Sequence, residues 1–104
     1  MSRCRRCEPV SPAVQLAADL LERRWLLQVV VAAHAGALRF NEFGEAVAGI
    51  SPRMLSARLR DLEQAGMIER VVIPASPPLV EYRLTERGRA LAPLVAALRQ
   101  YAGA

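Results

Sequence analysis

The chain has 104 residues, of which 53% are apolar and only 5% aromatic, so we expect a single domain with an aliphatic core, of a size at which a partner subunit adds stability. No apolar run approaches the ~20 residues of a transmembrane helix and no signal-peptide core follows the basic N-terminus, which predicts a cytoplasmic protein without a membrane partner. The net charge of +4 favours an anionic partner, although Arg3, Arg5 and Arg6 supply most of the excess.

Residues 1 to 11 are polar, rich in arginine and without periodicity, so we expect a flexible basic tail ahead of a domain at 12–104. The tail holds both cysteines, Cys4 and Cys7, in one Cys-x-x-Cys spacing. Three interpretations stay open. The pair has no special role, or it senses oxidants or electrophiles because nearby arginines lower thiol pKa values. Alternatively, two such pairs from two subunits bind a metal, since one pair is only half a zinc site.

Two helices are predicted next. The first begins at Pro12, a favoured first helical residue, and runs to about Arg24. The segment from Trp25 to Ala35 is almost wholly apolar and fits a buried helix or a buried strand; its length and alanine content favour a helix that ends at Gly36. His34 is then expected to be a residue at a helix end rather than a ligand.

The centre of the chain predicts a helix-turn-helix. A short helix at 39–48 carries Phe40, Phe43 and Val47 on one side and ends at Gly49. After a three-residue connection, Ser51 is a good N-cap for a second helix that begins at Pro52 and ends before Gly66. The intervening Ile50 is expected to pack between the two helices.

The second of these helices has two distinct faces. Leucines recur at i, i+4 and i+7, which predicts a buried edge. The opposite face carries arginines and small residues and is suited to the major groove of DNA, with a solvated helix face as the competing interpretation. The buried edge is Leu55, Leu59 and Leu62, and the predicted DNA-contacting residues are Arg53, Ser56, Ala57 and Arg60.

Other arginines are candidates for phosphate contacts. Arg58 lies nearer the leucine edge, so an ion pair with Glu42 or Glu63 is as plausible for it as a phosphate contact. Arg39 at a helix start, and Arg70 and Arg83 on predicted strands, are further candidates.

Those strands, MIERVVI and LVEYRL, flank the reversal PASPP and predict a hairpin whose tip lacks a cation. Thr85 then begins a last helix to Ala102, which Pro93 is expected to kink.

The order of elements predicts a mainly α protein with a small β-hairpin wing, a winged helix-turn-helix flanked by extra N- and C-terminal helices. These two outer helices carry apolar faces, which consist of Val14, Leu16, Leu20, Leu21, Leu91, Leu94, Val95 and Leu98. No nucleophile set, paired carboxylates or phosphate-binding loop is visible. We therefore expect no enzyme activity, no cofactor and no catalytic metal.

Several segments in fixed order resemble the HxlR-type winged helix-turn-helix transcriptional regulators, which are MarR-like bacterial proteins. They are LLERRW (20–25), RFNEF (39–43), GISPRMLSARLRDLEQAGMIER (49–70), PPLVEYRLTERGRAL (77–91) and the trailing PLVAALRQY. The resemblance implies a homodimer on double-stranded, palindromic operator DNA, usually a repressor, often responsive to oxidants, electrophiles or aldehydes. It also implies that the flanking N- and C-terminal helices are dimerisation helices, so that their apolar faces are the candidate dimer surface. It names no small-molecule effector for this chain.

The chain departs from that family at several positions. Many relatives carry a cysteine before a proline at the start of the first helix, where this chain has Ser11. Gly44 and Glu45 follow the RFNEF-like segment where basic residues are usual, and Leu79 replaces a basic residue of the wing. These departures motivate an alternative, a winged-helix protein-interaction module with weak or no DNA binding.

Overall fold

The computed structural model describes residues 7–104, and the predicted mainly α winged-helix order is confirmed there. Six helices and one antiparallel hairpin occur in the described part of the chain. Their bounds are α1 Pro12–Leu21, α2 Leu26–His34, α3 Phe40–Ala46, α4 Pro52–Gln64, β1 Ile68–Ile73, β2 Leu79–Leu84, α5 Glu86–Arg89 and α6 Ala92–Ala102.

Helix α1 is shorter than the sequence predicted, because it ends at Leu21 rather than at Arg24. The backbone of Trp25 has φ of 72°, a left-handed conformation that an L-residue rarely adopts and that a right-handed helix cannot contain. The Arg24 guanidinium lies 4.9 Å from the centroid of the Trp25 ring, at a distance suited to a cation–π contact. The chain therefore turns at this point, and α2 leaves it as a separate helix.

Helix α2 is the centre of the core, and its apolar sequence forms a helix rather than a strand. Leu26 and Val29 are fully buried, and the exposed fraction of Val30 is only 1%. The same apolar cluster takes in Phe43 from α3 and the leucines of α4. The helix-turn-helix is thus packed directly on α2, which fixes its position in the domain.

Both ends of α4 lie where the sequence placed them. The Ser51 hydroxyl accepts a hydrogen bond from the Met54 backbone N–H at 3.1 Å. At the other end Gly66 has φ of 74°, and the N–H groups of Gly66 and Met67 donate to the carbonyls of Glu63 and Leu62 at 3.0 and 2.9 Å. This pairing is a Schellman motif, which ends the helix and turns the chain into β1.

The hairpin is attached to the helix-turn-helix on one side. Strands β1 and β2 pair in the register Ile68↔Leu84, and the Tyr82 N–H donates to the Leu38 carbonyl at 2.7 Å, just before α3. The Tyr82 ring also meets Phe43 edge to face, with centroids 6.3 Å apart. The wing and α3 are therefore held to each other by both backbone and side chain.

The predicted kinked C-terminal helix is in fact two helices, α5 and α6, separated at Ala90–Leu91. Pro93 lies in the first turn of α6, where its missing N–H needs no helical partner. Thr85 caps α5 as predicted, accepting from the Gly88 N–H at 3.1 Å. A side chain on buried Gly88 would collide with the Met67 carbonyl oxygen, so α5 lies directly against the start of β1. Because of this break, α5 packs against β2 while α6 packs against α2.

Two further residues are placed by α5 and α6. His34 is the last residue of α2, as expected, and its Nε2 lies 3.1 Å from the Gly88 carbonyl oxygen. Val95 is only 2% exposed and belongs to the core of its own chain. This corrects its assignment to the dimer surface, because a side chain so covered has almost no area left for a partner subunit.

The carboxylate of Glu42 closes the N-terminus of α3. Its Oε1 accepts hydrogen bonds from the backbone N–H groups of Leu38 and Arg39 at 2.9 and 2.8 Å. These two bonds, with the nearby Arg39 charge, hold the pKa of Glu42 below its ordinary value. Since the charged form is the one stabilised, the contribution is fully present above the unfolded-state pKa and is lost as the pH falls through the lowered, folded-state pKa.

We expect Glu42→Gln to lower the melting temperature at neutral pH, because the amide is a weaker acceptor for the two N–H groups than the carboxylate. The difference from the wild type should shrink as the pH falls through the lowered pKa of Glu42, because the carboxylate then takes up a proton. Thermal denaturation followed by circular dichroism across pH 7 to 3 measures it. A difference that stays constant over that range would contradict the assignment.

Candidate DNA-binding surface

The orientation of α4 follows from its leucines. Leu55, Leu59 and Leu62 are exposed by only 1%, 2% and 0%. They lie on one side of the helix because their spacing follows its period of 3.6 residues. The opposite side of α4 therefore faces solvent.

The solvent-facing side carries the residues that the sequence predicted. Arg53, Ser56 and Arg60 are exposed, and Ala57 is half-buried beside them. Gln64 is also exposed, four residues after Arg60, and extends this row to the last residue of the helix. Sequence reasoning overlooked Gln64, although the continued spacing from Arg53 and Arg60 was the signal that could have found it. We call Arg53, Ser56, Ala57, Arg60 and Gln64 the outer face of α4.

Arg58 does not belong to the outer face. Its side chain is only 18% exposed, and its Nε lies 3.3 Å from Oδ2 of Asp61 one turn along the same helix. The ion pair weighed from the sequence is therefore present, but its partner is Asp61 rather than Glu42 or Glu63. Glu42 is occupied at the start of α3. The i, i+3 spacing of Arg58 and Asp61 was the local signal that could have predicted this pair.

The carboxylate of Asp61 joins α4 to the corner between α1 and α2. Arg23 Nη1 lies 3.0 Å from Asp61 Oδ1, while Arg58 approaches the other oxygen. The Arg23 side chain is 49% exposed, whereas the side chain of Asp61 is 18% exposed. One largely covered carboxylate thus faces two guanidinium groups from two elements.

The remaining candidate phosphate ligands are distributed around α4. Arg39 is exposed at the N-cap of α3, and Arg70 is exposed on β1. Arg83 donates from Nε and Nη2 to one oxygen of Glu81, at 2.9 and 2.8 Å. Arg70 pairs in register with Tyr82 rather than with Arg83, so the two arginines project from opposite faces of the hairpin. Arg39 and Arg70 are left with exposed side chains, whereas the charge of Arg83 is matched by Glu81.

The predicted dimer residues divide into two groups. Val14, Leu16, Leu94 and Leu98 are 56%, 71%, 42% and 36% exposed, whereas Leu20, Leu21 and Leu91 are half-buried against the core. Helix α1 contributes no buried residue at all within the described chain. Two apolar grooves border these helices, one lined by α1, α5 and the end of α4, and one lined by α2, the end of α3 and Leu98 of α6.

The predicted tail is only partly described. Cys4 lies outside the described residues. Cys7 is exposed ahead of α1 and is disulfide-bonded. Residues 7–10 form no helix or strand, and Ser11 is the N-cap of α1, accepting from the Val14 N–H at 3.2 Å.

Membrane spans and metal sites are the other two features to consider in residues 7–104. No helix in this range is long and apolar enough to cross a membrane. Within the same range, histidine, cysteine and carboxylate side chains form no group of three that could hold a metal ion.

Sequence and structure comparisons place the chain among known regulators. The family model described as HxlR-like helix-turn-helix matches residues 20–104. The uncharacterized HTH-type transcriptional regulator YvaP of Bacillus subtilis is 40% identical over 91 residues, which are 88% of this chain and 84% of YvaP. The HTH-type transcriptional regulator YodB of the same organism is 41% identical over 80 residues, 77% of this chain and 71% of YodB.

Solved structures agree with the sequence comparison. The reduced form of YodB from B. subtilis superimposes with a TM-score of 0.79 at 36% identity, covering 90% of this chain and 92% of YodB. The reduced form of the redox regulator HypR gives a TM-score of 0.77 at 37% identity, covering 86% and 88% of the two chains. The winged helix, the outer face of α4 and these matches lead to one conclusion: the chain belongs to the HxlR-like helix-turn-helix family of DNA-binding transcriptional regulators.

Proposed function

We propose that this regulator binds a palindromic operator as a homodimer in the cytoplasm and represses nearby genes. The observation that carries the proposal is the outer face of α4. Its two arginines, Arg53 and Arg60, are exposed, while the leucines behind them are buried. A helix fixed in this orientation presents guanidinium groups outward, as the recognition helix of a helix-turn-helix does in the major groove.

The chemistry of the outer face suits base edges. Arginine can donate two parallel hydrogen bonds to O6 and N7 of guanine, the commonest specific contact in the major groove. Ser56 and Ala57 are small, so they let the helix backbone approach the floor of the groove. Recognition helices contact bases mainly through their N-terminal residues. This favours Arg53 and Ser56 for base contacts, with Arg60 at a base or a phosphate farther along.

Fewer arginine side chains are available for contacts with DNA phosphates than the sequence predicted. Arg58 and Arg83 are matched by Asp61 and Glu81 in this chain. The exposed Arg39 and Arg70 are therefore the candidates for phosphate contacts from outside α4. Gly44, Glu45 and Leu79 stand at positions that are often basic in relatives. The outer face of α4 therefore supplies a larger share of the DNA-binding free energy here than in those relatives.

The proposed homodimer is supported by the outer helices. Helix α1 has ten residues, and an isolated helix of that length is marginal in water. Its apolar residues Val14 and Leu16 are among the most exposed large hydrophobic residues of the described chain. Burying them with Leu94 and Leu98 against a second copy would stabilise α1 and place two α4 helices about 34 Å apart, one turn of DNA.

Arg60→Ala is expected to weaken operator binding, by about 1–3 kcal/mol per recognition helix where Arg60 contacts a base, or with a salt slope reduced by about one per helix where it contacts a phosphate. The operator is first selected by the wild-type protein from a random duplex library, and affinity is then measured by fluorescence anisotropy at several salt concentrations. Arg87→Ala is the matched control, since it removes one exposed arginine from α5 rather than from α4.

Equal affinities for the wild type and Arg60→Ala would contradict the assignment of Arg60. If the wild-type protein binds no duplex at all at low salt, the protein-interaction module is the better account, because every DNA-binding protein gains affinity as salt is removed.

We further propose Cys4 and Cys7 as a redox couple that modulates DNA binding. Oxidation joins two thiols in a disulfide with loss of two electrons and two protons, which an oxidant such as diamide accepts. The Cys-x-x-Cys spacing, the disulfide at Cys7 and the similarity to the redox regulator HypR support this proposal.

The redox proposal predicts different operator affinities for the wild type in dithiothreitol and in diamide, and one common affinity for Cys7→Ser. Anisotropy titrations under both conditions measure the difference. The redox couple would be excluded if diamide left the operator affinity of the wild type unchanged, or if it still changed the affinity of Cys7→Ser.

A further inference from the structure

The arrangement around Asp61 has a consequence for DNA recognition. Its carboxylate lies on a flank of α4, between the buried leucine edge and the outer face, because successive helical residues are rotated by ~100°. One oxygen meets Arg23 at 3.0 Å, and the other meets Arg58 at 3.3 Å. A contact on this flank adds to the resistance that the buried leucines offer to rotation of α4 about its axis.

The backbone of Arg23 is held in the turn between α1 and α2. Its N–H donates to the Leu20 carbonyl at 3.3 Å, and its carbonyl accepts from the Leu26 N–H at 3.0 Å. Leu26 is fully buried. The pair Arg23–Asp61 therefore connects the C-terminal half of α4 to the turn from which the buried helix α2 begins.

The electrostatics of the cluster are unusual for a helix that approaches DNA. Asp61 is negative, and a negative charge on such a helix repels phosphates. Arg58 Nε and Asp61 Oδ2 are buried and make no hydrogen bond, so their contact is an ion pair without hydrogen-bond geometry. Removing Asp61 would leave the largely covered Arg58 guanidinium uncompensated, a condition that proteins relieve by moving the charge.

We propose that Asp61 is a positioning residue for specific DNA recognition: it holds the roll of α4, through Arg23, so that Arg53 and Arg60 meet their bases in register. Side chains that bind a partner must lie within about 0.5 Å and 10–20° of their productive geometry. A modest rotation of the helix about its axis moves an arginine tip farther than that. The inference rests on the proposed DNA-binding function, and it assigns the specificity of the outer face in part to a carboxylate that touches no base.

Asp61→Asn separates positioning from simple charge. Loss of a negative charge predicts tighter binding to every duplex, whereas loss of positioning predicts weaker binding to the operator only. We therefore expect operator affinity to fall about tenfold or more, while affinity for a scrambled duplex of equal length stays constant or rises. The readout is the ratio of the two affinities, measured by anisotropy on the full chain with the operator selected by the wild-type protein.

Glu63→Gln is the matched control, because Glu63 is an exposed carboxylate two residues away on the same helix. It should raise both affinities by a similar factor and leave the ratio unchanged. A merely structural role of Asp61 would lower the folded fraction and reduce both affinities equally, again without moving the ratio. Asp61→Glu, which keeps the charge, should restore most of the ratio lost in Asp61→Asn.

Arg23→Gln keeps the inference testable if Asp61→Asn does not fold, because Arg23 is half exposed and its loss leaves Arg58 and Asp61 paired. It too must lower the ratio. An unchanged ratio in Asp61→Asn, or in Arg23→Gln where the first variant is unfolded, would overturn the positioning role. A wild-type protein that prefers no duplex sequence would instead overturn the proposed function, and the positioning role with it.

Discussion

The burial of three leucines on one edge of α4 is the constraint on which the rest of the structure depends. Leu55, Leu59 and Leu62 are almost wholly covered by α2 and its neighbours. Truncating a leucine in such a position to alanine typically costs about 2–5 kcal/mol, a large part of the stability of a small domain. This free energy keeps α4 in one orientation, and that orientation decides which side chains reach solvent.

The surrounding elements fix where α4 lies in the domain. Caps at Ser51 and Gly66 fix where α4 begins and ends. The hydrogen bond from Tyr82 to Leu38 holds the wing beside α3. On the flank, Asp61 connects α4 to the corner between α1 and α2. The outer face is therefore held from its two ends, from its buried edge and from one flank.

The sequence predicted α4 well because its signals are local. An N-cap, a proline at the first helical position, leucines at helical spacing and a terminal glycine all act within one segment. The turn at Trp25 and the break at Ala90–Leu91 were missed, since a left-handed tryptophan carries no sequence signature and Pro93 is compatible with a kink or a new helix. Long-range contacts were also beyond reach: the meeting of Arg23 with Asp61 and the burial of Val95 depend on how distant segments pack.

Methylation protection can show whether the outer face of α4 lies in the major groove of the operator. Dimethyl sulfate modifies N7 of guanine in the major groove and N3 of adenine in the minor groove, so it reports which groove is occupied. With the operator selected by the wild-type protein, we expect protected guanine N7 atoms in two clusters about one helical turn apart. Bound DNA whose guanine N7 atoms all stay reactive, with protection confined to adenine N3, would contradict this expectation.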